Sequence, residues 1–109
     1  MKKEIVYNKL IRDKIPEIMK KNKQEFEIFI ASKEEYKDKL LEKVSEELEE
    51  FKKTPCEEEM ADLLEVLENL MEEFELKYED VLKVKQEKIL KRGSFKNKLI
   101  LKKIVTTQI

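Results

Sequence analysis

The chemistry of this chain centres on carboxylates in the stretch "EELEEFKKTPCEEEMAD", Glu46 to Asp62. On a helix turning about 100° per residue, Leu40, Val44 and Phe51 share one stripe, with Tyr36 beside them. Glu47 falls in the middle of that stripe, and Glu50 and Lys43 lie on its flank. Burying a lone carboxylate is costly unless it is paired, protonated or bound to a cation. A second helix after Thr54-Pro55 gives a core face of Leu63, Val66, Leu67, Leu70 and Phe74. Glu59 lies within the edge of that face, Asp62 lies just outside, and Asn69 continues the same edge. Most of the other acids, Glu49, Glu57, Glu58, Glu65, Glu68 and Glu72 among them, face water.

The break between the two helices is short, so they form an antiparallel hairpin. Residues equally far from its centre then share a level. Glu50 opposes Glu59, and Glu47 opposes Asp62, with i, i+3 spacing keeping each helix's pair on one face. Four carboxylates meeting at one seam repel. Either lysines such as Lys43 pair with them, or they hold a metal ion. A set of oxygen-only ligands favours a hard cation, Mg²⁺ first and Mn²⁺ second.

Composition narrows the alternatives. The chain has 109 residues, 45% of them charged, and no histidine. The missing histidine excludes Ser-His and Cys-His nucleophile systems and the commonest general base. Cys56 is the lone cysteine, which excludes an internal disulfide and a thiolate zinc cluster. A net charge of −1 argues against a nucleic-acid polymer or a membrane surface as partner. The charges are segregated, with an acidic middle between Lys-rich ends. No apolar run approaches a membrane span, and the N-terminus lacks a signal-peptide core, so a soluble cytoplasmic protein is expected.

The elements that must position the acids read as mainly α. A short N-terminal helix follows Asp13, its expected N-cap, with Pro16 in the first turn. Glu25 to Ser32 alternates and is rich in Phe and Ile, like a strand. Ser32 and Glu35 form a capping box that opens a long helix to Lys53. Thr54 as N-cap, Pro55 at the first helical position and Glu57 form a second box, opening a helix to about Leu76. A third helix runs from about Glu79 to Lys91 and stops at Gly93. The β-prone run ending at Val105 could pair with Phe26–Ile30 as a small two-stranded ribbon. One domain over 1–105 and a tail over 106–109 are expected.

These residues resemble a known family. "EELEE" followed by "EMAD" is similar to the E-E-x-x-E … E-x-x-D signature of the all-α nucleoside triphosphate pyrophosphatases, the MazG-like superfamily. "YNKLIRDKIPEI", Tyr7 to Ile18, resembles the N-terminal signature of its small phosphoribosyl-ATP pyrophosphohydrolase-like branch. "KILKRGSFKNKLIL", Lys88 to Leu101, resembles that branch's C-terminal element. The resemblance covers nearly the whole chain in the same order.

It implies an all-α, oligomeric enzyme that cleaves nucleotides between the α and β phosphates with Mg²⁺, releasing a monophosphate and pyrophosphate. By motif match, Glu47, Glu50, Glu59 and Asp62 would be metal ligands, with Glu46 as a neighbour. Glu47 and Glu50 are the candidates for taking a proton from water. Lys9, Arg12 and Lys14 would face phosphates, as would Lys88 and Arg92 in the C-terminal element. The rivals are phosphoribosyl-ATP as substrate and a non-catalytic helical nucleotide-binding or oligomerisation module. The sequence names neither base nor sugar. The broad face of Met60, Leu63, Leu64, Leu67, Leu70 and Met71 is wider than one helix covers, which points to a homodimer or a larger homo-oligomer.

Overall fold

A computed structural model describes residues 2–108. Its helices are α1 (Ile15–Lys21), α2 (Lys33–Lys53), α3 (Glu57–Glu73) and α4 (Tyr78–Arg92). The chain divides into two compact units, Met1–Leu76 and Lys77–Ile109. The first holds α1, α2 and α3, and the second holds α4 with an extended segment after it. No described helix is long and apolar enough to cross a membrane.

α2 starts where Ser32 and Glu35 exchange hydrogen bonds. The Glu35 N–H donates to the Ser32 hydroxyl, and the Ser32 N–H donates to the Glu35 carboxylate, each at 3.2 Å. α2 and α3 pack on one another, and with only Thr54 to Cys56 between them they must run antiparallel. The ends agree with this. Lys37, early in α2, places its ammonium 5.1 Å from the ring of Phe74, which follows α3. Near the turn, Phe51 shares a groove with Cys56 and Met60. The core is thin: Leu40, at 2% exposure, is the one fully buried side chain among the described residues.

Three local expectations fail. Thr54 does not cap α3, because its N–H is still bonded to the Glu50 carbonyl at 3.1 Å and so ends α2. Cys56 takes the N-cap position, without a side-chain bond, and α3 begins at Glu57. Asp13 does not cap α1. Lys14 occupies that position, and the turn before it closes through the Ile15 N–H and the Arg12 carbonyl. The β ribbon does not form, and no strand occurs among the described residues. A two-stranded ribbon is marginal in water without a packed face. Both candidate segments stay open to solvent, with Ile30 98% and Ile100 89% exposed.

The C-termini of α1 and α3 share one device. After α3, the Leu76 N–H donates to the Met71 carbonyl and the Glu75 N–H to the Glu72 carbonyl. Gln24 and Lys23 bond to Met19 and Lys20 in the same way after α1. This is the Schellman pattern, which normally uses glycine at its left-handed position. Here Lys23 and Glu75 adopt φ 56° each, a conformation that costs a side-chain-bearing residue about 1–2 kcal/mol. Glu75→Gly should therefore raise the urea midpoint, gaining about 0.5–1 kcal/mol after the unfolded-state entropy of glycine is offset. Ser32→Ala should lower it by about 1 kcal/mol. A lower midpoint for Glu75→Gly would contradict the left-handed cap.

Candidate metal centre

Glu47 lies on the inner stripe of α2, and Glu59 and Asp62 lie one turn apart on α3. The three are half-buried, and each offers a carboxylate oxygen within 4.8 Å of the others. Glu50, expected opposite Glu59, is exposed and turns toward Lys53 at 3.9 Å. Its charge still reaches Glu59. Partial burial, then the charges of Asp62, Glu50, Glu47 and Glu58 in that order, hold the Glu59 carboxyl above the usual carboxylate range. Like charges held together out of water favour the protonated form or a bound cation.

Two cations already lean on the cluster. Lys43 lies 3.6 Å from Glu47 and 3.3 Å from Glu46. Arg12 donates to Asp62 at 2.8 Å. Arg12 comes from the segment before α1, which crosses the polar side of the hairpin. Lys39 donates to the Asn8 carbonyl at 2.8 Å, and Lys9 pairs with Glu46 at 3.3 Å. Together they enclose a cleft of about 210 Å³ lined by Leu10, Arg12, Tyr36, Lys43, Glu47 and Asp62 among others. Pockets for whole small molecules run to about 300–1,000 Å³, so this cleft suits an ion and phosphate oxygens rather than a base and sugar. Burial, then Glu73, Glu72 and Asp13, raises the pKa of Tyr36 on its wall.

The remaining candidates are placed as follows. Lys14 is exposed at the start of α1. Lys88 and Arg92 are exposed, one turn apart on α4 in the second unit. Asn69 donates to the Glu65 carbonyl and carboxylate of its own helix, at 2.8 and 2.9 Å, so its amide is engaged within α3. The Arg12–Asp62 pair escaped sequence reasoning. No periodicity links residues so far apart in the chain.

The donor set fits a hard cation: three carboxylate oxygens, partly dehydrated, with no sulfur or nitrogen ligand. The Arg12–Asp62 pair does not forbid one. Its side chains are 61% and 42% exposed, and such a pair is worth about 0–1 kcal/mol. Compared with protein families, curated proteins and solved structures, the chain has no match.

Glu59 gives a pH signature. A carboxyl whose folded pKa is raised contributes stability below its unfolded pKa and loses it as pH rises through the folded value. The urea midpoint of metal-free protein should fall as pH climbs from the ordinary carboxylate range toward neutrality. Glu59→Gln should remove that component, and added Mg²⁺ should restore the midpoint of the parent at neutral pH. Identical profiles for parent and variant would contradict the crowding at Glu59.

Proposed function

We propose that this protein is a Mg²⁺-dependent nucleotide pyrophosphohydrolase of the MazG-like, all-α type, acting between the α and β phosphates of nucleoside triphosphates. The observation that carries the reading is the meeting of Glu47, Glu59 and Asp62 within 4.8 Å across the hairpin seam. The ordered motifs "NKLIRDKIP", "EELEE", "EMAD" and "KRGSF" support it.

Glu47, Glu59 and Asp62 would hold the ion, with Glu50 as a further neighbour. When bound, Mg²⁺ supplies charge neutralisation for phosphate oxygens and acidifies water. Arg12 and Lys9 exchange their half-buried carboxylate partners, Asp62 and Glu46, for phosphate oxygens, a change between charge-assisted bonds of similar strength. Glu50, exposed and outside the three-oxygen cluster, takes the proton of the attacking water. The water oxygen bonds to the α-phosphorus as the α–β bridging bond breaks, and pyrophosphate leaves with that bond's electron pair. The small cleft leaves the base and sugar to be met elsewhere, which keeps phosphoribosyl-ATP among the possible substrates.

A second reading draws on the ion pairs. Lys43 on Glu47 and Arg12 on Asp62 neutralise two of the three acids. In that case the cluster only latches the N-terminal segment to the hairpin, in a non-catalytic helical module.

A panel of nucleoside triphosphates and phosphoribosyl-ATP, incubated with protein and Mg²⁺, separates the two. Equimolar monophosphate and pyrophosphate are the expected products. Glu47→Gln should lower turnover at least a hundredfold with helical circular dichroism retained. Arg12→Gln should raise KM more than it lowers kcat. No product from any substrate, with unfolding on Arg12→Gln, would favour the latch.

A further inference from the structure

Residues 94–105, "SFKNKLILKKIV", hold four lysines, Lys96, Lys98, Lys102 and Lys103, and no acid. The chain-wide net charge of −1 averages this basic segment with the acidic hairpin, so it does not describe what the segment itself attracts. Every residue of the segment is exposed. None of its lysines joins an ion pair among the described residues. Near the start of the chain the cations are engaged instead, with Lys2 on Glu25, Lys9 on Glu46 and Arg12 on Asp62.

The apolar side chains between these lysines are equally open. Phe95 is 97% exposed and Leu99 87%, and Leu101, Ile104 and Val105 are exposed with them. Phe95 stands at a turn that the Lys98 N–H closes on its carbonyl at 3.2 Å. A run of large apolar side chains left in water marks a contact surface. In an extended chain successive side chains point to opposite sides, so Leu99 and Leu101 lie on one side and Ile100 on the other. A rigid protein groove covers one side, whereas a fluid bilayer interface takes both. Nucleic acid fits less well, because its single strands stack on aromatic rings and Phe95 is the one aromatic residue here.

We propose that residues 94–105 dock on an anionic phospholipid surface. The lysine ammonium groups meet headgroup phosphates and carboxylates, and Phe95, Leu99, Leu101 and Ile104 enter the acyl boundary. The backbone stays in the hydrated headgroup layer, where its N–H and C=O groups keep water partners. Basic charge and apolar insertion are the two signals that together hold a peripheral protein. The segment lies on the membrane and does not cross it. The proposal uses no residue assigned above to the reaction, and vesicle binding without turnover would leave it intact.

Flotation of the full chain with phospholipid vesicles tests it. The chain should float with phosphatidylcholine vesicles containing about one-third phosphatidylserine, and stay behind with phosphatidylcholine alone. Lys102→Gln with Lys103→Gln should weaken binding about thirtyfold, at about fivefold per lysine. Leu99→Ser with Leu101→Ser should weaken it about tenfold. Ile30→Ser should change nothing, because Ile30 lies among Glu27, Glu34 and Glu35. Helical circular dichroism should be the same in all variants, whose altered side chains are exposed. No flotation with the anionic vesicles would overturn the proposal, and so would equal binding to neutral ones. Binding to an oligonucleotide through the same lysines, without flotation, would assign the segment to nucleic acid and overturn it as well.

Discussion

The carboxylate of Glu47 stands on the apolar stripe of α2 with only 12% of its side chain exposed. A carboxylate so placed must be matched by positive charge, and the rest of the first unit is arranged around that need. Lys43, one turn earlier, supplies part of it at 3.6 Å. Across the seam, however, Glu59 and Asp62 add negative charge rather than relieve it. Arg12 is drawn onto Asp62, and Lys9 and Lys43 onto Glu46. The N-terminal segment lies along this flank because the acids give its cations somewhere to bind.

The two helices make that crowding possible. A rigid hairpin fixes the levels at which acids meet, and α2 is set by its capping box at Ser32 and by the turn at Thr54 to Cys56. Away from these acids, Leu48 and Leu64 are part-exposed on the hairpin surface. Polar contacts gather where the N-terminal segment crosses, through Arg12 on Asp62, Lys9 on Glu46 and Lys39 on the Asn8 carbonyl. The core is thin, with Leu40 alone fully buried among the described residues.

Much of this was legible in the residues themselves. The 3.6-residue period placed α2, α3 and α4, and the Ser32–Glu35 box gave the start of α2. Glu47 stood out because a lone acid on an apolar stripe is costly. Equal distance from the turn brings Glu47 to Asp62, and Glu50, set level with Glu59, still acts on it through its charge. The connection runs from Thr54 to Cys56, with Thr54 still bonded to α2, and the Glu50 side chain is exposed beside Lys53. Cap positions were harder to read, because Asp13 and Thr54 have the right side chains while backbone bonds elsewhere in their turns decide. The ribbon failed for a different reason: β-prone composition describes a half-buried pleated surface, and neither segment has one. Arg12 on Asp62 had no local signal, because long-range charge pairing leaves no period.

The central claim is that a divalent cation belongs between Glu47, Glu59 and Asp62. Anomalous diffraction at the manganese edge, from crystals grown with Mn²⁺ in place of Mg²⁺, tests it most directly. The expected result is a peak bonded to one oxygen of each of the three carboxylates at about 2.0–2.3 Å, with Arg12 moved off Asp62. A map with no peak there at saturating Mn²⁺, and with Arg12 and Lys43 still seated on Asp62 and Glu47, would contradict it.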